Sequence, residues 1–329
     1  MTQSKGGTGL AEAEPTPEQR PTLARDKKDP TFDRSTRRLW PILAAPGTIW
    51  LIVLFVVPFY GIFAVAFGQV DFLFNTPIPA WNPLHWQFTL FGEVLHASVD
   101  GPFSGVWRRT FGYVFVSLVV CVAVGYPVAY YVARLAGRRR GLLLALILAP
   151  WWINYITRML GWMTILDEKH GYLNSFLEHL GVIDQGVNWL GGYPGVVVLG
   201  LVYGYLPFFI VPLYASLDRI DQRLLEASRD LGVGAARTFW HITLPLSRMG
   251  LITALVITAL PMAGDYYTNQ LLSGSPKTNM IGNTIYYYLA QGPQKNVGAC
   301  LVIQLSLVLL VFMDYYLLLT QRASKEAGR

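Results

Sequence analysis

A carboxylate followed by two tyrosines, Asp265-Tyr266-Tyr267, sits in the outer half of an apolar run of this 329-residue chain. Such a carboxylate is costly unless it faces a water-filled path or a hydrogen-bonding partner. With two aromatic rings beside it, it could hold an organic ammonium by charge and by cation–π contact. It could equally cap a neighbouring helix or pair with Arg158, and the sequence leaves both readings open. Trp151, Trp152, Tyr155 and Trp162 surround that arginine, where they either line a path or anchor at a membrane interface.

A second place with chemistry is a charged island between apolar runs, residues 218–248, containing Glu226-Ala227-Ser228-Arg229-Asp230-Leu231-Gly232 and then Ile242 and Leu244-Pro245. Asp218 and Asp221 give an acidic start to a short helix. Gly232 breaks it, and Ala235 begins a second amphipathic helix ending at Pro245. Two short helices meeting at a glycine would expose Leu225, Leu231 and Phe239 beside charged residues. That surface suits a groove on a cytoplasmic partner, or an amphipathic helix lying on lipid.

Other chemistry is missing. No Gly-Lys dipeptide occurs, so there is no phosphate-binding P-loop, and Lys277-Thr278 follows a proline. No GxSxG or HExxH motif occurs. His85, His96, His170, His179 and His241 have no ligand spacing. Cys121 and Cys300 lie in apolar runs and read as small packing residues. The chain is expected to need no cofactor and to be no enzyme.

The elements that position these residues follow from composition. Hydrophobic residues make up 53% and charged residues 14%, against about 25% charged in a soluble domain; mean hydropathy is +0.38. Residues 1–39 are rich in Pro, Glu, Lys and Arg and are expected to be a disordered tail. Six apolar runs follow, at about 40–67, 109–133, 141–165, 194–217, 249–272 and 298–320. Each is near or above the ~20 residues that cross a bilayer as a helix, and none alternates as a barrel strand would. The fold class is an all-α membrane protein with six transmembrane helices. Its membrane domain spans 40–322, and a short tail occupies 323–329.

Of the 26 lysines and arginines, only Arg108, Arg109, Arg158, Lys169, Lys277 and Lys295 lie away from the two termini, the turn at 134–140 and the 218–248 loop. That bias puts both termini and the loop on the cytoplasmic side. It also explains the net charge of +6 as topology in a lipid bilayer rather than a nucleic-acid footprint. Gly200 and Gly204 form a small-xxx-small face for close helix packing.

The island resembles the signature loop of binding-protein-dependent ABC importer permeases: Glu-Ala-Ala, three residues, Gly, nine residues, Ile, one residue, Leu-Pro. Glu226, Ala227, Gly232, Ile242, Leu244 and Pro245 match it, and Ser228 departs at the third position. The resemblance implies a type I ABC importer permease fold with cytoplasmic coupling helices that dock on an ATPase, with Glu226 and Gly232 foremost in docking. Residues 150–158 with Gly161-Trp162, the stretch Gly171-Tyr172-Leu173-Asn174, residues 125–130 and residues 260–266 are similar to the polyamine (spermidine/putrescine) permeases of that family.

By that resemblance the partners are a second homologous permease, two copies of a cytoplasmic ABC ATPase and an extracytoplasmic substrate-binding protein, in the cell's inner membrane. The expected cargo path takes in Trp152, Tyr155, Arg158, Asp265, Tyr266 and Tyr267. Basic residues near Asp265 would favour an anionic cargo, such as an aminophosphonate or oxyanion, and ferric iron is a further alternative. An acidic and aromatic lining would favour a polyamine. A stand-alone channel or secondary transporter would instead show Gly- or Pro-broken spans in matching halves, and none is evident in the sequence.

Overall fold

A computed structural model describes residues 30–71, 73 and 76–327, with the side chains of 41, 43–71, 73 and 76–321. The described residues divide into two units, with the division after Pro58. In the first unit the described backbone belongs to α1 (Pro30–Ala66). Helix therefore begins within the expected 1–39 tail, whose residues 1–29 lie outside the described residues. Proline suits the opening helical position because its fixed φ is already helical. Extending an existing helix backwards also costs far less than nucleating one. Ile49 to Val57 are all apolar and exposed, as a lipid-facing stretch would be.

The second unit opens, after the end of α1, with a two-stranded antiparallel hairpin, β1 (Gln69–Val70) and β2 (Pro77–Ile78). Helices α2 (Thr89–Val99), α3 (Ser104–Arg134), α4 (Arg140–Leu148), α5 (Tyr155–Ile165) and α6 (Tyr172–His179) follow. After α7 (Pro194–Asp218) come α8 (Gln222–Asp230), α9 (Ala235–Thr238), α10 (Leu244–Ala263), α11 (Tyr267–Leu272), α12 (Ile281–Tyr286) and α13 (Lys295–Ala327).

Among the described residues, five helices are long and apolar enough to span a membrane, and one bent pair makes a sixth. The second, fourth and sixth predicted spans fall inside α3, α7 and α13.

Two predicted spans need correction. The third is not continuous: the segment Gly137–Trp152 meets α5 at 88°. Pro150 lies in a tight turn over Ala149–Trp152, where it ends the preceding helix. The Asn154 side chain accepts from the Ile156 N–H at 2.9 Å and starts the next helix. The fifth run also breaks, at Gly264–Tyr266 between α10 and α11. Asp265 thus lies in a break and not in a helical span.

The core centres on α7, which is apolar on all sides and therefore buried rather than amphipathic. Phe209, Ile210, Leu213 and Leu217 are buried there against α3 and α10. The predicted close-packing face is real. A Cβ on Gly204 would stand 2.7 Å from the Tyr155 ring, and one on Gly200 would stand 2.5 Å from the Thr268 methyl. Beyond α5, buried Asn174 ties the loop together: its Nδ2 donates to the carbonyls of Asp167, Glu168 and Val187, and its Oδ1 accepts from Trp189 Nε1 at 2.7 Å.

Candidate functional site

The first half of the charged island folds as the sequence predicts. Asp221 has extended backbone and accepts from the Arg223 N–H at 2.9 Å, capping α8. Gly232 ends that helix at φ +76°. The Val233 N–H reaches the Ser228 carbonyl at 3.1 Å and the Gly232 N–H reaches that of Arg229 at 2.8 Å. This pair of bonds closes a helix when a left-handed residue follows it, a role suited to glycine.

The second half departs from expectation. The helix that begins at Ala235 does not end at Pro245: it widens into a π turn over Phe239–Thr243 and continues through α10 to Ala263. Proline lacks an N–H and its ring crowds the carbonyl four residues back. A wider turn immediately before Pro245 absorbs that conflict without stopping the helix.

Exposure also differs. Leu231 is 83% exposed, but Leu225 is buried and Phe239 is half-buried. Phe239 turns inward because two rings on α3 receive it edge-on: its centroid lies 5.6 Å from Tyr126 and 5.7 Å from Tyr130. The Tyr126 hydroxyl meets that of Ser247 at 2.7 Å. Arg134, at the end of α3, donates to the Leu217 and Ile220 carbonyls at the end of α7, a cation on a helix C-terminus.

Glu226, Ala227, Gly232, Leu231, Pro245 and Trp240 are exposed, Ile242 and Leu244 half-buried, and Ser228 buried. One piece of chain therefore has an outward face and an inward face locked to a span. Trp240 was missed by the sequence reading, although an aromatic residue in a charged island was a usable signal.

The bend of the third span opens a cavity of about 490 Å³ lined by Trp151, Trp152, Tyr155, Arg158, Tyr205 and Phe208 among others. Trp152 is 91% exposed. Rings run along the wall: Trp151 to Phe208 at 3.8 Å, Phe208 to Tyr205 at 6.1 Å and Tyr205 to Tyr155 at 6.2 Å between centroids. The Arg158 guanidinium lies 5.9, 5.3 and 5.8 Å from the rings of Trp151, Tyr155 and Tyr203, within cation–π range.

The structure thus brings together Trp152, Tyr155 and Arg158 of the expected path. Asp265, Tyr266 and Tyr267 do not line this cavity. Tyr266 stacks on Tyr267 at 4.0 Å and on Tyr286 at 4.8 Å. Asp265 is 6% exposed. Its Oδ2 accepts from the hydroxyls of Tyr205 at 2.8 Å, Tyr155 at 3.1 Å and Thr268 at 2.8 Å, and its Oδ1 accepts from the Thr268 N–H at 2.9 Å. The Oδ1 bond closes the first turn of α11, and no ion pair joins Asp265 to Arg158 among the described residues. Tyr205 and Phe208 escaped notice in the sequence because an unbroken apolar run gives them no polar neighbour.

The family of binding-protein-dependent transport system inner membrane components matches over residues 125–325. The spermidine/putrescine transport system permease protein PotB of Escherichia coli is 37% identical over 227 residues, 69% of this chain and 80% of that protein. Its Haemophilus influenzae counterpart is 32% identical over 284 residues, 85% of this chain and 92% of that protein. A chain of a bacterial alginate ABC transporter, crystallised with an alginate-bound periplasmic protein, superposes with a TM-score of 0.69 at 18% identity, covering 89% of this chain and 98% of that one. That likeness is one of fold, and the fold is the type I ABC importer permease fold.

Proposed function

The chain belongs to the inner membrane components of binding-protein-dependent transport systems, and from that premise we propose that it is the permease subunit of an ATP-driven polyamine importer. The observation that carries this reading is the 37% identity to a spermidine/putrescine permease over 80% of that protein's length. The bend cavity agrees with it in kind, since its aromatic faces suit alkyl ammonium groups. Trp151, Trp152, Tyr155, Arg158 and Tyr205 form this subunit's share of the path, and a second homologous permease supplies the rest. An extracytoplasmic binding protein delivers the cargo.

ATP is hydrolysed by two copies of a separate cytoplasmic ATPase. Both termini and the 218–248 loop lie on the cytoplasmic side, as the cation bias requires. The ATPase docks on Glu226, Ala227, Leu231 and Trp240, around the glycine turn at Gly232. Closure of the ATPase moves α8 and α9, and Phe239 passes that movement to Tyr126 and Tyr130 on α3. Ile242, Leu244 and Pro245 keep the same rod continuous with α10.

A second reading has one observation in its favour. The cavity wall includes the cation Arg158 and no carboxylate, which suits an anionic cargo such as an aminophosphonate or oxyanion. Uptake by the whole complex in proteoliposomes separates the two. Labelled spermidine should accumulate with ATP, and Arg158→Gln should leave that uptake intact or raise it. If the wild type ignores spermidine but imports a phosphonate, and Arg158→Gln abolishes that import, the anion reading replaces this one.

A further inference from the structure

We propose that Asp265 is a positioning residue of the translocation path, which orients the aromatic wall through Tyr155 and Tyr205 without touching the cargo; this rests on the assignment of the bend cavity to the cargo. A carboxylate offers about four lone-pair sites. Oδ2 is saturated by the hydroxyls of Tyr205, Tyr155 and Thr268, and Oδ1 accepts the Thr268 N–H. At 6% exposure the carboxylate, Oδ1 included, is closed to an ammonium group from the cavity.

The same bonds decide what the cavity offers. Tyr155 and Tyr205 line it, and both O–H donors are spent on Asp265, so neither is left to donate to a cargo. Donation of an O–H to a carboxylate is charge-assisted and stronger than a bond between neutral groups. It fixes each ring and makes its face more electron-rich, which favours a cation over that face.

Three elements meet at this one group: α5 through Tyr155, α7 through Tyr205, and the start of α11 through Thr268. Their approach depends on the fourth span having no side chain at two positions. A Cβ on Gly204 would stand 2.7 Å from the Tyr155 ring, and one on Gly200 would stand 2.5 Å from Thr268. The close contact between the Tyr155 and Thr268 hydroxyls completes the cluster. Asp265 therefore holds the broken third span at its bend against the fourth and fifth.

The test is a mutant cycle in proteoliposomes holding the whole complex, with uptake of putrescine and spermidine measured as KM and maximal rate. Asp265→Asn and the double variant Tyr155→Phe with Tyr205→Phe cut the same bonds from opposite ends. Each should lose about tenfold in uptake efficiency, the effect of roughly one such bond or more. The triple variant should be no worse than about twofold below either, because the interaction is already gone. The loss should be the same factor for the diamine and the triamine.

Three results overturn the proposal: losses that multiply in the triple variant, wild-type uptake by the tyrosine double variant, or a changed diamine-to-triamine preference in Asp265→Asn. If Asp265→Asn fails to assemble, the tyrosine pair decides alone, since phenylalanine keeps the ring volume. A wild type that takes up neither amine sinks the polyamine reading instead, and the same cycle is then read on ATP hydrolysis by the complex.

Discussion

The Ser228 hydroxyl lies 2.7 Å from the Thr238 hydroxyl, both of them buried, and joins α8 to α9 across the left-handed Gly232. Ser228 is the position at which the island departs from the loop pattern it otherwise matches. The joint fixes the angle between the outward face of the island and the rod that enters the membrane.

Ser228→Ala removes one partner and strands the buried Thr238 hydroxyl, a cost of about 1–3 kcal/mol. The expected result is normal assembly with less uptake per ATP hydrolysed. Adding Thr238→Val, which removes the stranded group, should recover part of that loss. A ratio of uptake to hydrolysis equal to the wild type in Ser228→Ala would show the joint to be idle.

Gly232→Ala places a Cβ on a residue at φ +76°, with a penalty of about 1–2 kcal/mol. Nothing crowds that Cβ, so the effect is confined to backbone strain in the turn. Weaker ATPase co-purification is expected, with helix content unchanged by circular dichroism. Glu226→Ala, on the exposed face, should abolish uptake while the complex still assembles; normal uptake would remove Glu226 from the docking surface.

Phe239→Ala takes away the ring that rests on Tyr126 and Tyr130. For a half-buried aromatic the loss should be about 2 kcal/mol, below the 3–5 of a fully buried one. ATP hydrolysis should persist while uptake falls at least tenfold. Equal losses in both would mean the ring serves stability and not transmission.

Gly204→Ala forces the Tyr155 ring away from α7, an overpacking cost of about 1–3 kcal/mol. Uptake should fall with KM rising more than the maximal rate changes, because the wall is displaced while the coupling piece is untouched. Unaltered kinetics would show that the wall tolerates movement.

Asp167 is half-exposed, and its Oδ1 accepts from the backbone N–H of His170 and of Lys169. Those donors hold its carboxyl below the usual carboxylate range. A folded-state value below the unfolded one adds stability above the ordinary carboxylate range, and that stability is lost as pH falls through the lowered value. Amide exchange at residues 169 and 170 should accelerate only under acid conditions, and Asp167→Asn should flatten that dependence.

Much of the island was legible because its determinants are local. Asp221 caps, Gly232 closes a helix and Ala235 starts the next through interactions spanning a few residues. The inward turn of Phe239 was not, because it depends on Tyr126 and Tyr130, more than a hundred positions away. The same applies to Asp265. Its cost in an apolar run was evident from sequence, but its partners are Tyr155, Tyr205 and Thr268 on three different elements.

By itself the sequence determined a helical membrane chain, the places of most spans and the local turns of the charged island, because hydropathy, charge bias and short-range spacing are properties of the chain. Only the tertiary structure decided that the third span bends by 88° at Pro150–Asn154, that the helix passes through Pro245 without ending, and that Asp265 stands behind the aromatic wall. The physical reason is common to all three. Whether a proline stops a helix or a buried carboxylate is tolerated depends on the partners that packing brings to it, and those partners are distant in sequence.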